Sequence, residues 1–401
     1  MMRHTNYILS TIATLTLLAG CSKPGTPGTS SVLPVASGQP IEFNAGTPGA
    51  AASNAPQTKG APQLSTLERL AAQDFSVSAW YTPDGESYSA SSESYIDNHR
   101  FGTLDPGPSY TTWRGITRTG GKAADPVYYP LDGTLTFFCY APYRADISNT
   151  SDVCVDYAPD PAVTSQLADY LPGSPLITFT PSATTFNQID FLMATPLLDV
   201  DRTGGAIPLD FTRHLTTNIQ FWCKYNGTLD ASEGVMISKI AITDVIGSEY
   251  LYFTEASDGT LGYSRNSTIS PVDGSSVMPL ASYEMTSASE CLIFDNPFLD
   301  DTTPKHINNT INGNVYLLPQ TLPATAQLEI TYVVKHRVGD AILDENILVF
   351  PLAGTPDWPM GKTVKYTIDV DVAARKDLTV TVSIEDWNNS GNTHPEQELM
   401  Y

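Results

Sequence analysis

The sequence predicts an all-β chain with β-sandwich architecture. Apolar and polar residues alternate with a period of two in several long stretches, which is typical of strands with one buried face. Helix signals are few. In addition, 30 prolines and 28 glycines interrupt the 401 residues, so the strands between them are short. Together these observations favour stacked antiparallel sheets over a helical or α/β fold.

The clearest strands lie in the second half of the chain. Strict alternation is found in residues 215–225, 328–335, 364–372 and 378–384. A polar turn at residues 375–377 joins the last two stretches and therefore predicts a hairpin. Two earlier stretches, residues 135–140 and 176–179, resemble strands but alternate less regularly.

Two short helices and one domain boundary are predicted between the strands. A capping box at residues 65–68 predicts a helix that ends near Gln73. Residues 164–171, which precede a Pro-Gly pair, predict a second helix. A turn-rich break at residues 201–205 separates two strand-rich halves. We therefore expect an N-terminal domain at residues 41–204 and a C-terminal domain at residues 205–401.

The first 20 residues have the features of a secretory signal peptide. A short basic start precedes an apolar stretch that ends in Leu-Ala-Gly-Cys at Cys21, the pattern of a bacterial lipobox. Cleavage before Cys21 and acylation of its thiol would anchor an outer-membrane lipoprotein at the cell surface. The alternative is an ordinary signal peptide followed by a chance cysteine. Residues 21–40, rich in Ser, Gly, Pro and Thr, predict a flexible tether.

Net charge and cysteine content narrow the possible partners. A formal charge of −22 disfavours nucleic acid, because phosphates would repel the protein. Besides Cys21, the chain contains Cys139, Cys154, Cys223 and Cys291. We predict a Cys139–Cys154 disulfide, because the two residues are close in sequence and flank a loop. The alternative is that all four are separate buried thiols.

No motif predicts an enzyme, a metal site or another cofactor. The histidines have no ligand or catalytic spacing, and no nucleophile motif or phosphate-binding glycine loop occurs. Residues 199–210 partly resemble a calcium-binding loop, but Asp210 replaces the expected Glu and no flanking helices are predicted, which favours a plain turn. The five tryptophans could bind glycan, especially Trp222 on the polar side of its strand, although core positions are the commoner use.

Several segments, taken in order, resemble the fimbrillin family. They are the strand at residues 214–221, the Leu-Leu-Pro-Gln segment within residues 315–322, the Trp-x-x-Gly-Lys pattern at residues 358–362, and the closing strand at residues 380–388. Residues 41–43 and 74–80 fit the same pattern near the front. The order and spacing of these segments carry the resemblance, which spans nearly the whole chain after the tether.

The resemblance implies a lipoprotein precursor of the type V pili of Bacteroidetes, built from two transthyretin-like β-sandwich domains in tandem. In that family a proteolytic cut removes the first strand, and a strand of a neighbouring subunit fills the apolar groove by β-augmentation. The implied partners are other fimbrillin subunits in a homo- or hetero-polymer, the outer membrane through the lipid anchor, and a host surface glycan or protein.

The resemblance also points to residues for exchange and processing. Ile41, Phe43 and Ala45 alternate as an exchanged strand requires. The family's protease cuts after arginine, which makes Arg69 the first candidate and Lys59 the second. The alternative is that Arg69 is simply part of the capped helix and that the subunit remains uncleaved. The chain departs from the family at its polar tail, residues 388–401, which would make a poor donor strand.

We therefore predict a structural or adhesive pilus subunit assembled by strand exchange. The alternative is a monomeric surface lipoprotein that binds glycan and keeps all its strands, and a hydrolase with an acidic site of unrecognised pattern is a third hypothesis. Residues 301–303 also resemble an O-glycosylation site, with Thr302 as the acceptor.

Overall fold

The computed structural model describes the parts of the chain that carry nearly all the predicted strands. These parts are residues 35–47, 67–105, 110–119, 121–183, 188–202, 204–271, 274, 276, 278–286, 298–299, 301–307, 315–339, 341–372, 378–387 and 397–399. The predicted signal peptide, Cys21, Lys59 and Cys291 lie outside them. Within the described residues, no helix is long and apolar enough to cross a membrane.

Strands dominate the described residues, which contain 26 strands and two short helices. The first half consists, in chain order, of β1 (Ala36–Pro40), β2 (Glu42–Gly46), α1 (Leu67–Gln73), β3 (Phe75–Thr82), β4 (Glu93–Gly102), β5 (Trp113–Thr117), β6 (Ala123–Ala124), β7 (Tyr128–Pro130), β8 (Thr134–Ala141), β9 (Val153–Asp156), α2 (Pro161–Thr164), β10 (Leu176–Phe179), β11 (Leu192–Met193), β12 (Leu197–Val200), β13 (Ile207–Asp210) and β14 (Arg213–His214). The second half consists of β15 (Thr217–Asn226), β16 (Glu233–Ile246), β17 (Glu249–Glu255), β18 (Leu261–Asn266), β19 (Leu280–Thr286), β20 (Lys305–His306), β21 (Val315–Leu317), β22 (Gln327–His336), β23 (Ile342–Pro351), β24 (Lys362–Asp371), β25 (Leu378–Asp386) and β26 (Gln397–Leu399).

The strictly alternating stretches form strands, as predicted. β15 buries Ile219 and Phe221, and β22 buries Leu328 and Ile330, whereas the residues between them face outward or lie at the rim. β24 and β25 form the predicted antiparallel pair. The all-β class is therefore confirmed. Successive side chains of a strand point to opposite faces, so an alternating sequence places its apolar side chains on one face and its polar side chains on the other.

The second half of the chain forms a two-layer sandwich. A six-stranded sheet in the order β20-β15-β24-β25-β26, with β21 also paired to β15, faces a four-stranded sheet in the order β19-β16-β22-β23. Side chains from both sheets form one core, which includes Phe221 and Tyr366 from one layer and Ile240 and Tyr332 from the other.

The first half is organised around a ten-stranded sheet whose main order is β13-β2-β5-β4-β3-β8-β11-β14. Its centre is buried on both faces. Along β8, Phe137 belongs to a core shared with β2 and α1, whereas the next residue, Phe138, belongs to a second core. That second core is covered by a four-stranded sheet in the order β18-β17-β10-β9.

The predicted boundary at residues 204 and 205 does not fall between sheets. β13 and β14 follow it in sequence, yet they pair with β2 and β11 of the first-half sheet. The hairpin β17–β18 also comes from the second half and pairs with β10. The turn-rich composition at 201–205 therefore marks a chain reversal within one sheet.

Two local predictions were wrong. The tether was predicted to extend to residue 40, but β1 pairs antiparallel with β7. The second helix was predicted at residues 164–171, but α2 ends at Thr164. Asp160 caps α2 by accepting a hydrogen bond from the Ala162 amide at 2.8 Å, and Pro161 occupies the first turn, which sets the earlier start. The first helix, α1, ends at Gln73 as predicted.

Candidate functional site

The candidate exchanged strand is β2 together with the residue before it, Ile41. Ile41 and Phe43 are completely buried, and Ala45 is 3% exposed. Asn44, which lies between the last two, is exposed. The structure thus brings all three predicted residues into one core, with the alternation that a strand inserted into a groove requires.

Phe43 is the main anchor of this strand. Its ring contacts Phe137 at 5.3 Å, Phe101 at 5.4 Å and Phe75 at 6.0 Å between centroids, each in an edge-to-face arrangement. Such pairs contribute about 0.5–1.5 kcal/mol each beyond the burial of apolar area. Removal of β2 would therefore expose an aromatic groove that only another apolar side chain could refill.

Backbone contacts place β2 second from the edge of its sheet. On one side it pairs antiparallel with β5, where Phe43 lies opposite Trp113. On the other side lies β13, a parallel edge strand of four residues. At the ends of the strand, the Ile41 amide donates to the Val127 carbonyl at 2.8 Å and the Phe211 amide donates to the Gly46 carbonyl at 3.1 Å. Loss of β2 would thus open a slot between β5 and β13.

Helix α1 closes the same core and contains the first processing candidate. Leu70 is completely buried in the core around Phe43, and Arg69, one residue earlier, is half-buried. Burial and the carboxylate of Asp190 raise the pKa of Tyr316, whereas the positive charge of Arg69 acts in the opposite direction. The side chain of Arg69 thus lies within electrostatic range of β21.

A buried carboxylate fixes the C-terminal end of α1. Asp74 has no exposed surface, and its Oδ2 accepts a hydrogen bond from Arg118 Nε at 2.5 Å. Lys122 Nζ lies 3.3 Å from Asp74 Oδ1, and Arg100 Nε lies 3.9 Å from Oδ2. Arg118 and Lys122 also donate to the carbonyl of Ala71 in the last turn of the helix. Cations at this end of a helix stabilise it through the helix dipole.

Two further pairs of buried polar side chains lie near the junction of the two halves. His214 Nδ1 is 2.8 Å from Asp190 Oδ1, and its ring stacks on Trp387 at 4.4 Å. Glu249 accepts a hydrogen bond from Arg265 Nε at 2.8 Å. Burial raises the pKa of Glu249 to about 7, although the positive charge of Arg265 opposes that shift.

Sequence reasoning missed all three buried clusters of polar side chains. Their members come from separate strands and connecting segments that are far apart in the sequence, so no short motif marks them. The only sequence signal is weak: Asp74 is a lone acidic residue at the junction between α1 and β3.

The predicted Cys139–Cys154 disulfide is wrong. Cys139 and Cys223 are free, buried thiols. Cys154 is disulfide-bonded, and its bond therefore involves neither of them. Cys139 points into the core around Phe43. Its chain neighbours Phe138 and Tyr140 point to the opposite face, where β9 lies, so Cys139 is directed away from Cys154.

Asp199 and Asp210, the first and last residues of the calcium-like stretch, lie in β12 and β13, respectively. Asp199 Oδ1 accepts a hydrogen bond from the Tyr88 amide at 2.8 Å and another from Thr134 Oγ1 at 3.3 Å. Within the described residues, no group of three or more His, Cys, Asp or Glu side chains could hold a metal ion.

The tryptophans do not form a common exposed platform. Four of them are buried: Trp80, Trp113, Trp358 and Trp387. Trp222 is half-buried, and its ring stacks on His306 at 4.7 Å with Lys365 Nζ at 4.9 Å from its centroid. These rings thus have packing partners, which favours the structural interpretation of the tryptophans over glycan binding. Thr302, the predicted O-glycosylation acceptor, is exposed.

Comparison with known proteins supplies an independent finding. A model of the fimbrillin-like family matches residues 109–387. A fimbrial protein from Bacteroides vulgatus has a similar structure, with a TM-score of 0.51 and 16% identity over 86% of this chain and 99% of that chain. A putative cell adhesion protein from Bacteroides uniformis gives a TM-score of 0.41 and 14% identity over 87% of this chain and 98% of that chain. No curated protein matches the sequence.

Proposed function

Because the chain belongs to the fimbrillin-like family, we propose that it is a structural or adhesive subunit of a surface fimbria. In this proposal the precursor is exported, lipidated at Cys21 and held on the outer membrane. It then polymerises with other fimbrillin subunits by exchanging β2 for a strand of a neighbour. The proposal assigns no catalytic residue and no cofactor.

The observation that supports exchange is the way β2 is held. Its inward side chains fill an aromatic groove, while its backbone pairs with β5 at two positions, Glu42 and Phe43, and with β13 at four, Phe43 to Gly46. A second strand with the same alternation could fill the same groove and make the same backbone pairs. Main-chain hydrogen bonds to β5 and β13 would give such a strand its direction, as in other cases of β-augmentation.

Release of β2 requires a cut between β2 and the core of α1. A cut after Arg69 would divide α1 and leave Leu70, a buried core residue, at the new N-terminus. A cut after Lys59 would leave α1 whole, but Lys59 lies outside the described residues. We propose that Arg69 is cleaved only when α1 opens. The N-terminal residue of the protein recovered from cells would distinguish the two positions.

Strand exchange can be tested with a peptide. The purified precursor is cut by limited trypsin digestion and then mixed with a labelled peptide corresponding to residues 40–47. We expect the cut protein to bind the peptide and to retain it on an unheated denaturing gel, whereas the uncut precursor should not bind it.

Two variant peptides provide matched controls. A peptide with Phe43→Asp should fail to bind, because a carboxylate would enter the aromatic groove. A peptide with Asn44→Asp carries the same added charge on the exposed side and should bind nearly as well as the unchanged peptide. If the cut protein binds none of the peptides and stays monomeric at every concentration, the exchange proposal fails.

One observation favours the alternative of a glycan-binding monomer. A cleft of about 900 Å³ lies between the β3–β4 connection and residues 157–173. Its lining residues include Trp80, Tyr157, Tyr170 and Asp169. Mixed aromatic and hydrogen-bonding linings are typical of ligand sites. A melting temperature that rises with sugar in the normal protein but not in Tyr170→Ala, without any polymer formation, would support this alternative.

A further inference from the structure

Within the described part of the chain, exposed apolar side chains are concentrated at one sheet edge. There β23 is the last strand of the sheet β19-β16-β22-β23 and pairs with β22 alone. Of the nine large hydrophobic side chains that are exposed within the described residues, five belong to β23 or the turn before it: Val338, Ile342, Leu343, Ile347 and Val349. Ile347 and Val349 are 62% and 53% exposed.

An edge of this kind is uncommon in a monomer. Natural proteins usually protect edge strands with prolines, inward charges, bulges or covering segments, because free amide and carbonyl groups recruit other strands. β23 is ten residues long, and its proline, Pro351, and its register irregularity between Ile342 and Asp344 lie at its ends. Along its middle, apolar side chains point both into the core and outward. Only another extended strand can pair with its backbone while covering its outward side chains.

We propose that β23 is a docking edge for β23 of a second copy of this chain, paired antiparallel across a two-fold axis. With Leu348 on the axis, Ile347 of each copy lies opposite Val349 of the other, and the four side chains form one apolar patch. The same register places Glu345 opposite Pro351. Leu348 and Phe350 keep their places in the core of their own copy.

The charges of β23 favour this register. Asp344 and Glu345 are its only charged residues, and both lie near the start of the strand. With the axis at Leu348, no carboxylate faces another. An axis at Glu345 would instead place the two Glu345 side chains directly opposite each other, which is destabilising. The strand is therefore self-complementary in the register that also pairs its outward apolar residues.

The strength of the contact follows from its size and from net charge. A contact one strand wide is smaller than the roughly 1,200–2,000 Å² of stable complexes, so the association should be weak and should matter where copies are concentrated. Both copies carry a formal charge of −22, so salt should strengthen the association by screening their repulsion. A basic partner strand would show the opposite salt dependence.

Sedimentation velocity of the uncut protein over a concentration series tests the proposal. We expect a monomer–dimer equilibrium that shifts towards dimer as salt increases. Ile347→Lys should weaken dimerisation by about tenfold, because it places charged side chains within the apolar patch. The matched control is Leu280→Lys on β19, at the opposite edge of the same sheet, where Leu280 is 51% exposed. The control should change the dimerisation constant less than about twofold.

A second variant tests the same strand pairing by cross-linking if the monomer–dimer equilibrium is too weak to measure. In the double variant Ile347→Cys, Val349→Cys, the cysteine at position 347 of one copy lies opposite the cysteine at position 349 of the other. Oxidation should therefore give a covalent dimer. The single variant Ile347→Cys should give much less. The proposal is overturned if the double variant stays monomeric, if Leu280→Lys weakens dimerisation as much as Ile347→Lys, or if β23 binds only a different protein. These results are independent of peptide exchange, because β23 and β2 belong to different cores.

Discussion

Replacing Phe43 by alanine tests whether β2 is an integral part of the first-half core. The Phe43 ring is completely buried and packs edge-to-face on Phe75, Phe101 and Phe137. A buried Phe→Ala change typically lowers the free energy of unfolding by about 3–5 kcal/mol, from lost burial and the cavity that remains. We expect a value in the upper part of this range, because three ring contacts disappear at once.

Urea denaturation, followed by circular dichroism and tryptophan fluorescence, measures this loss. Trp113 is a suitable reporter, since its ring lies 5.6 Å from Phe75 in the same core. The matched control is Asn44→Ala, which removes an exposed side chain from the same strand and should change the free energy of unfolding by less than about 0.5 kcal/mol. If Phe43→Ala costs no more than Asn44→Ala, then β2 is not a core strand and the argument for an exchange groove is refuted.

Three other predictions concern buried polar groups. Asp74→Asn should speed tryptic cleavage after Arg69, because the end of α1 loses its ionic contacts with Arg118 and Lys122. N-terminal sequencing identifies the fragments, and their rate of appearance measures the effect. Burial raises the pKa of Glu249 to about 7, above its unfolded value. The raised pKa adds to the free energy of unfolding most at low pH, and this contribution is lost as the pH rises from about 4.5 towards 7. Glu249→Gln should therefore flatten the dependence of stability on pH in that window. Burial also raises the pKa of Cys139 and Cys223, so both thiols should stay unreactive towards a disulfide reagent until the protein is unfolded.

Each of these predictions has a contradicting result, and the first also has a matched control. For Asp74, the control is Asp125→Asn at a largely exposed carboxylate; equal cleavage rates in the two variants would show that the ionic cluster does not hold α1. For Glu249, an unchanged pH profile in Glu249→Gln would mean that other groups set the profile. For the thiols, modification of the folded protein at the rate of a free cysteine would contradict the burial of both side chains.

The wrong disulfide prediction shows the limit of arguments from sequence distance. Cys139 and Cys154 are only fifteen positions apart and flank a connection, but they belong to different sheets. Side chains on a strand alternate between faces, so a shift of one residue decides which core a cysteine enters. The connection between β8 and β9 carries the chain to the next sheet, while Cys139 points to the far face of its own sheet.

Predictions that depended on local patterns were the most successful. The period of two in residues 215–225 and 364–372 identified β15 and β24, and the capping box at residues 65–68 identified α1. The alternation of Ile41, Phe43 and Ala45 likewise identified a strand with one buried face. These features depend on backbone geometry over a few residues, so the sequence alone contains the necessary information.

Only the tertiary structure decided which strands become neighbours. It places β2 between β5 and β13, pairs the β17–β18 hairpin with β10, and collects three cations around Asp74. It also leaves β23 at an edge with apolar side chains exposed. Pairing between strands that are distant in sequence depends on the packing of the whole core, because the same alternating pattern fits many possible neighbours. The sequence by itself therefore determined that the chain forms strands, and the packing of the cores determined which partner each strand has.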